Sequence, residues 1–254
     1  MLDRLTQRPR PVSRSLRSAH YIADYDLHAG EWWDPRGRLA ALSWIARARG
    51  ELVPPAARSG AILLDVACGG GLFHPHILDK GYRHLGVDLS VTALADARDH
   101  GVDVVLRGDI GALPIADENV DVVAAGQCLE HVLDLATVIA ECCRVLRPGG
   151  TLVLDTIADT LLARLMVITL CERLPLRGMP PRGCHDHRLF VNREKLCQLV
   201  SEHGIELHLR GLLPRLDQGV AWLLGNRPDV RFVPIGNTSV FFQAAGVKSV
   251  MQDE

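Results

Sequence analysis

Three consecutive glycines, Gly69 to Gly71, follow an apolar run at residues 61–67, and the carboxylate of Asp88 closes the next apolar run. A glycine-rich turn after a strand lets the backbone approach a ligand closely, and a carboxylate at the end of the next strand can accept hydrogen bonds from ribose hydroxyls. Together these features predict a site for a cofactor that contains a nucleoside. The spacing of the glycines indicates which cofactor.

That spacing disfavours a dinucleotide. The fingerprint G-x-G-x-x-G needs a third glycine where helix and strand pack over a pyrophosphate, and counting from Gly69 that position is His74. A dehydrogenase that uses NAD is therefore a weak interpretation. Read as acid-x-G-x-G-x-G, with Asp65, Ala67, Gly69 and Gly71 at the fixed positions, the loop resembles motif I of the class I S-adenosylmethionine-dependent methyltransferases.

Regular elements have to position these residues. Apolar runs alternate with helix-length segments from residue 61 onward, which is typical of a parallel sheet covered by helices on both faces. Strands are predicted at 61–67, 83–88, 102–107, 120–125, 150–156, 205–213 and 231–245. Helices are predicted at 71–80, 90–100, 131–146, 159–173 and 192–203, with two more within 18–50 and a Pro/Gly-rich loop at 175–188.

The predicted fold class is α/β: a doubly wound, mostly parallel, seven-stranded Rossmann-like sheet, as in class I methyltransferases. N-terminal helices and a helical insertion after strand 5 complete it. We expect residues 1–17 to be a flexible N-terminus, 18–246 a single methyltransferase domain and 247–254 a C-terminal tail. Within the domain, the cofactor half is expected at about 50–156 and the substrate-side elements at 18–50 and 157–205.

Further motifs extend the resemblance. "GDIGALPIADENVDVV" (108–123) and "LRPGG" (146–150) resemble later motifs of the same class in the expected order. Four segments also resemble the family of ubiquinone-biosynthesis O-methyltransferases, the 3-demethylubiquinol 3-O-methyltransferases, over roughly residues 20–245. They are "WWDPRG" (32–37), "DVACGGG" (65–71), "CLEHVLD" (128–134) and "GCHDHRLFVNREKL" (183–196).

The resemblance implies that S-adenosylmethionine is the cofactor, and it implies the residues that bind it. Asp88, with Leu89 beside it, takes the ribose position, and Asp109 with Ile110 holds the adenine. An arginine after the W-W-D segment contacts the cofactor, and this is Arg49. The full predicted set is Arg49, Asp65, Ala67, Gly69, Gly71, Asp88, Leu89, Asp109, Ile110 and Gly126.

A divalent metal is also implied by the resemblance. Members of the family carry E-x-x-E-H after the fourth strand, proposed to hold a metal beside a phenol, and the chain here has Gln127, Glu130 and His131 at the three positions. Glu130 and His131 are therefore the predicted metal ligands. The amide of Gln127 is a poorer ligand for a hard cation than a carboxylate.

The resemblance also implies methyl transfer to oxygen. A phenol, with a pKa of about 10 like that of tyrosine, benefits from a base or a metal. His131 is the first candidate for the base, with Glu130 orienting it or sharing a metal, and His185, beside Asp186, is the second. The structural alternatives are that His131 only completes the first turn of a predicted helix and that His185 is a solvated loop residue.

The predicted function is an S-adenosylmethionine-dependent O-methyltransferase that acts on a small phenolic or catechol acceptor, with a prenylated quinone precursor as the implied example. One alternative is a tailoring methyltransferase of a sugar or secondary metabolite. Another is a catalytically inactive module that binds the cofactor, which only the departures at Ala67 and Gln127 favour.

Composition restricts the partners. A net charge of -2 and an isoelectric point near 6.6 provide no basic surface for nucleic acid, so a small-molecule acceptor is expected. The seven cysteines form no C-x-x-C pair, which favours the reducing cytoplasm. No apolar run is long enough to span a bilayer. Residues 159–176, with Arg164 and Arg173 among apolar side chains, suit either an interfacial helix in peripheral contact with a membrane, next to a lipophilic acceptor, or a helix buried against the sheet.

Overall fold

Eight strands form one sheet in a computed structural model that describes residues 31–173 and 182–250. The order across the sheet is β3-β2-β1-β4-β5-β8-β6-β7. Pairing is parallel from β3 to β5 and antiparallel from β5 to β7. The strands are β1 (Ile62–Val66), β2 (Arg83–Asp88), β3 (Val104–Arg107), β4 (Val120–Gly126), β5 (Leu146–Ile157), β6 (His208–Pro214), β7 (Phe232–Ile235) and β8 (Phe241–Val247).

The predicted α/β class with a mostly parallel sheet is confirmed, but the sheet has eight strands instead of seven. The apolar run at 231–245 forms two strands, β7 and β8, which pair with opposite sides of β6. Gly236 and Asn237 lie between them, and the Asn237 side chain accepts a hydrogen bond from the Ser239 N–H, which stabilises a turn. This turn ends one strand and reverses the chain before the next.

Six helices lie within the described residues: α1 (Ala40–Gly50), α2 (Val91–Asp99), α3 (Leu135–Val145), α4, α5 (Arg193–Ser201) and α6 (Leu216–Leu223). Helix α4 begins as an α-helix over Leu161–Ala163 and continues as a π-helix over Arg164–Cys171. Ser90, Asp134 and Asn192 cap α2, α3 and α5, each side chain accepting a backbone N–H three residues later. These caps explain why the three helices begin close to their predicted starts or a few residues later.

The helix predicted at 71–80 is wrong. Two 3-10 turns, His74–His76 and Leu78–Lys80, replace it. Pro75 lacks the N–H that an α-helix would direct to the carbonyl of Gly71, and its ring would clash there. The carbonyl of Gly71 instead accepts the His74 N–H at 2.9 Å, three residues later, which forms a tighter turn than an α-helix has.

Several predicted segments fall wholly or partly outside the described residues. These are the flexible N-terminus at 1–17, the first part of the N-terminal helices at 18–30, the first half of the 175–188 loop and the last four residues of the C-terminal tail. Of the two predicted N-terminal helices, α1 is within the described part. No helix there has both the length and the apolar character needed to cross a membrane.

The central strands are buried on both faces, which explains their continuous apolar runs. In β1, Leu63 packs with Phe73 on one face, whereas Leu64 and Val66 belong to the larger core cluster on the other. The chain continues from β1 to β2 on one side of the sheet and from β4 to β5 on the other, so the strand order reverses between the neighbours β1 and β4. This strand-order reversal opens a crevice beyond the carboxyl ends of the strands, where ligands bind in such sheets.

Candidate active site

The glycine loop lies at this crevice and has the conformation that its sequence predicts. After β1 the backbone is left-handed at Ala67 (φ 56°), Gly69 (φ 51°) and Gly71 (φ 79°). The Gly69 N–H donates to Asp88 Oδ2 at 2.9 Å, and the Ser90 N–H donates to Asp88 Oδ1 at 2.9 Å. Asp88 therefore joins the loop to the end of β2. Ala67 adopts a conformation that favours glycine, at a cost of order 1 kcal/mol.

The glycines also admit neighbouring side chains. A Cβ on Gly69 would lie 2.4 Å from the Trp32 ring, and one on Gly71 would lie 3.0 Å from the backbone of Ala97 in α2. The Trp33 indole N–H donates to the carbonyl of Gly70 at 2.9 Å. The loop thus packs beneath the segment that precedes α1, an arrangement that spacing alone did not predict.

A cavity adjoins the loop and contains most of the predicted cofactor residues. Eight of the ten contribute to its wall: Arg49, Asp65, Ala67, Gly69, Asp88, Leu89, Ile110 and Gly126. The remaining two lie behind the wall. Gly71 packs against α2, and buried Asp109 accepts the Gly111 N–H at 2.8 Å, which holds the turn that presents Ile110. The wall also includes Trp32, Leu42, Ala46, Cys68, Leu72, Phe73, Ser90, Gln127, Cys128 and His131.

Asp88 is an acceptor at the edge of this cavity. Burial raises the pKa of its carboxyl, and the N–H donors of Ser90 and Gly69 partly offset that rise by stabilising the ionised form. A ribose hydroxyl donating to Asp88 would add a hydrogen bond of the charge-assisted kind.

On the opposite wall, Arg49 of α1 forms a buried ion pair with Asp155 of β5. Arg49 Nη1 lies 2.8 Å from Asp155 Oδ2, and its guanidinium carbon lies 4.5 Å from the centre of the Phe73 ring. The guanidinium occupies the space that a Cβ on Gly126 would need. Gln127 Nε2 donates to the other oxygen of Asp155 at 2.9 Å. Asp155 was not among the predicted site residues, although an acid inside the apolar run "LVLDTI" was a usable signal.

Beyond Gln127, a 3-10 turn over Leu129–His131 brings His131 to the cavity wall, and Glu130 lies buried beside it. The potential ligand atoms of Glu130, His131 and His185 all lie within 4.8 Å of one another. Glu130 is fully buried. Its Oε2 accepts the Thr156 hydroxyl at 2.6 Å, and among the described residues nothing hydrogen-bonds its Oε1. Burial raises the pKa of Glu130 to about 7.

His185 approaches this cluster from the loop before α5. Its ring stacks on that of His131, with centroids 5.2 Å apart. Its Nδ1 lies 2.9 Å from Glu172 Oε1, and the same carboxylate accepts the N–H groups of Gly183 and His185. Burial disfavours ionisation of Glu172, but these hydrogen bonds outweigh it and lower the pKa.

The carboxylate beside His185 is therefore Glu172 and not the predicted Asp186. Asp186 instead caps the turn at residues 187–189 and pairs with Arg188 at 2.7 Å. Glu172 was missed because it lies thirteen positions before His185 and no motif connects the two.

The donor set at this cluster fits a divalent cation. Two imidazoles and one carboxylate converge, and one buried oxygen of that carboxylate accepts no hydrogen bond from the residues that the structure describes. A cation would remove the cost of burying it. The amide N–H group of Gln127, the residue at the first position of the family motif, donates to Asp155. The three residues that could hold a cation are therefore the predicted ligands Glu130 and His131, together with His185.

Comparison with known proteins agrees with this geometry. A family model described as "Methyltransferase domain" matches residues 64–154, the segment that contains the glycine loop, Asp88 and Gly126. Fold and match together define an S-adenosylmethionine-dependent methyltransferase, so S-adenosylmethionine is the cofactor, as predicted.

Two relatives define the family. A ubiquinone biosynthesis O-methyltransferase of Methylococcus capsulatus is 36% identical over 194 residues, which cover 73% of this chain and 81% of the relative. The protein of the same name from Hahella chejuensis is 31% identical over 84% of this chain and 91% of its own. The chain belongs to the family of ubiquinone biosynthesis O-methyltransferases, as its motifs predicted, and it is an O-methyltransferase of that type.

Solved structures show the same fold at low identity. A possible histamine N-methyltransferase from Thermotoga maritima has a TM-score of 0.61 and 19% identity, over 91% of this chain and 99% of its own. The cyclase SpnF has a TM-score of 0.60 and 18% identity, over 96% of this chain and 100% of its own. A methyltransferase and a cyclase thus share the architecture, so the fold alone does not define the acceptor.

Asp88→Ala is expected to weaken binding of S-adenosylhomocysteine about 10- to 100-fold, because it removes a charged acceptor for a ribose hydroxyl. Calorimetric titration would measure this. Asp99→Ala, at the exposed end of α2, is the matched control and should bind normally. Equal affinity in the two variants would exclude Asp88 as the ribose ligand.

Arg49→Met is expected to lower the free energy of unfolding by about 3 to 5 kcal/mol, because it leaves the Asp155 carboxylate buried without its cation. Denaturant titration would measure the change. Arg47→Met is the control on the same helix: its pair with Asp229 is half exposed, so a loss below about 1 kcal/mol is expected. Similar losses in both variants would contradict a structural role for the buried pair.

Proposed function

We propose that the acceptor is a small phenol or catechol, such as a prenylated quinone precursor, and that the Glu130, His131 and His185 cluster activates its hydroxyl. The observation that carries this proposal is the position of His131, which lines the cofactor cavity and also belongs to the buried cluster. An oxygen held at the cluster would therefore be close to the bound cofactor. The names of the relatives support an acceptor of this type.

Methyl transfer depends more on how the acceptor oxygen is placed than on acid–base catalysis. S-adenosylmethionine supplies a methyl group already activated on a sulfonium, so aligning the acceptor oxygen and excluding water provide most of the acceleration. A phenol with a pKa of about 10 still has to reach its phenolate form near neutral pH. In the proposal, the cluster stabilises that form because its groups can take up a proton or hold positive charge.

The cofactor roles follow from the cavity wall. Asp88 binds the ribose hydroxyls, and Ile110, supported by the Asp109 turn, packs against the adenine. Arg49 and the backbone at Ala67 and Gly126 line the same cavity as His131. Most of these residues meet at one cavity, which supports the assignment.

Helix α4 supports a lipophilic acceptor and a peripheral membrane contact. Its inner side chains, Ala163 and Val167, are buried against Ile157 and Phe190. Its outer side chains are exposed and apolar: Leu161, Leu162, Leu165, Met166 and Leu170. An apolar face with Arg164 beside it suits a helix that lies in the membrane interface. One side of the helix is buried against the core, as the second alternative predicts, and the other side is exposed, as an interfacial helix requires.

The decisive experiment measures methyl transfer from labelled S-adenosylmethionine to catechols with and without a prenyl tail, and to sugars as the comparison class. The proposal expects transfer to the catechols, higher with the tail and in the presence of lipid vesicles. Transfer to sugars with no effect of vesicles would instead favour the tailoring methyltransferase.

His131→Ala is expected to lower turnover on a catechol about 100- to 10,000-fold, because a group that acts on the acceptor proton is lost. Its affinity for S-adenosylhomocysteine should stay within a few-fold of wild type. Steady-state kinetics and calorimetry would measure both quantities. Unchanged turnover would remove His131 from the proposed mechanism.

Leu165→Asp combined with Leu161→Asp is expected to reduce co-sedimentation with anionic lipid vesicles at least about tenfold, because two apolar side chains are lost from the interfacial face. Leu78→Asp, at an exposed apolar residue outside α4, is the control and should sediment like wild type. Equal loss in the control, or none in the double variant, would contradict a membrane contact through 159–176.

A further inference from the structure

We propose that His84 of β2 is a positioning residue for the cofactor. Its imidazole fixes the carboxylate of Asp65 as the acceptor for the ammonium group of the methionine tail, and His74 fixes the tautomer of His84. This inference rests on the cofactor roles in the proposed function, because Asp65 is one of the predicted cofactor residues. It is independent of the methyl acceptor and of the residues that act on it.

The carboxylate of Asp65 is the first argument. Asp65 is buried in the wall of the cofactor cavity. Asp88, the other acid of that wall, accepts the N–H groups of Gly69 and Ser90, whereas the polar side chain at the Asp65 carboxylate is His84, with Nε2 3.5 Å from Oδ2. A buried carboxylate has to be paired or hydrogen-bonded. An ammonium group brings three N–H donors, so the tail of the cofactor can complete the pairing from the cavity side.

The charges of the wall are the second argument. The methionine tail is a zwitterion, with an ammonium and a carboxylate on one carbon. Arg49 and Asp65 line the same cavity. Burial alone would lower the pKa of Arg49, but the charges of Asp155 and Asp65 raise it above its usual value. The wall therefore offers a stable cation and an anion close to each other, as the two ends of an amino-acid tail require.

His84 is a buried imidazole in a strand whose other buried residues are apolar or glycine. It lies in register with Leu63 of β1, so it shares a face of the sheet with Asp65, two residues further along that strand. Its ring packs edge-on against Phe73, with centroids 6.2 Å apart. Its Nε2 has no hydrogen-bond partner among the described residues and lies beside the Asp65 carboxylate. A proton on Nε2 is therefore stabilised by that carboxylate, and the contact restrains the carboxylate in turn.

His74 determines which nitrogen of His84 carries the proton. The Nδ1 atoms of the two rings are 3.1 Å apart, and the rings stack with centroids 5.3 Å apart. Burial and the neighbouring His84 lower the pKa of His74, which favours two neutral rings. One Nδ1 then has to donate and the other to accept. When His74 donates, the proton of His84 is on Nε2, beside Asp65. The residue at the third glycine position of the dinucleotide fingerprint thus supports the acceptor for the tail.

The test compares two ligands by calorimetry on the full chain. S-adenosylhomocysteine carries the amino-acid tail, whereas methylthioadenosine has the same nucleoside and a thioether without that tail. His84→Gln keeps an amide N–H at the place of Nε2, and His84→Asn keeps one only at the place of Nδ1. The proposal expects S-adenosylhomocysteine to bind about 10-fold more weakly to His84→Asn but within about 3-fold of wild type to His84→Gln, because only the first variant loses the contact with a charged acceptor. Both variants should bind methylthioadenosine like wild type.

Two further variants show whether the effect is directed at the tail. Asp65→Asn should also lose affinity for S-adenosylhomocysteine and not for methylthioadenosine, because its amide cannot pair with an ammonium charge. Asp88→Ala should lose affinity for both ligands, since both contain the ribose. Equal losses for the two ligands in His84→Asn would indicate damage to the whole cavity and would overturn the proposal. Wild-type affinity of His84→Asn for S-adenosylhomocysteine would overturn it as well.

Nitrogen NMR of the histidine rings is the second readout, which a purely structural role of His84 would not determine. Wild type is expected to hold His84 with its proton on Nε2. His74→Phe keeps a ring for stacking and removes the Nδ1 donor, so His84 should populate both tautomers and S-adenosylhomocysteine should bind about 3-fold more weakly. A proton on Nδ1 of His84 in wild type would overturn the proposal. An unchanged tautomer and affinity in His74→Phe would remove His74 from it.

These outcomes are distinct from those that test the proposed function. A chain that methylates catechols and shows no tail-dependent loss in His84→Asn would refute the role of His84 and retain the proposed acceptor. A chain that shows this loss and methylates no catechol would retain the role of His84 and refute the proposed acceptor.

Discussion

The buried carboxylate of Asp155 is the constraint on which both halves of the site depend. Its two oxygens bind Arg49 from α1 and Gln127 from the turn after β4. Burial raises the pKa of Asp155, and the charge of Arg49 opposes that rise, so each partner helps to keep the carboxylate ionised. Because Gln127 adopts a left-handed conformation (φ 51°), its bond to Asp155 also sets the direction in which the chain continues to Glu130 and His131. One carboxylate thus binds an arginine of the cavity wall and the residue that precedes the turn carrying Glu130 and His131.

Local patterns predicted the parallel part of the sheet and its helix starts well, because the features that matter there are close in sequence. The glycine loop and Asp88 lie on consecutive elements, and parallel pairing of β1 with β2 brings them together without further information. The alternation of apolar runs and helix-length segments located each of the first five strands, and the capping residues Ser90 and Asp134 begin α2 and α3. Pro75 was a local signal as well, and giving it more weight would have excluded the helix at 71–80.

Contacts between residues far apart in the chain could not be predicted from the sequence. Arg49 was placed in the cofactor site only through the family resemblance, since its partner Asp155 lies 106 positions away. The contact between Glu172 and His185 depends on where the chain returns after α4. Trp32 packs on the glycine loop because glycines leave room for a ring, and no spacing rule distinguishes that use of glycine from room for a ligand. The last apolar run forms two strands because β7 and β8 pair with opposite sides of β6, and the sequence of the run does not show this pairing.

Helix α4 connects the surface to the site. Its outer side chains are the exposed leucines and Met166, its inner side chains pack against Ile157 and Phe190, and it ends at Glu172. The π-helical hydrogen bonding over Arg164–Cys171 widens the last turns, a distortion often found at functional sites, and the Glu172 N–H still donates to Val167 at 3.0 Å. A shift of this helix would therefore move the carboxylate that holds His185. In the proposed function, the surface that meets a lipophilic tail and the carboxylate that binds His185 therefore lie on one helix and its C-terminal end.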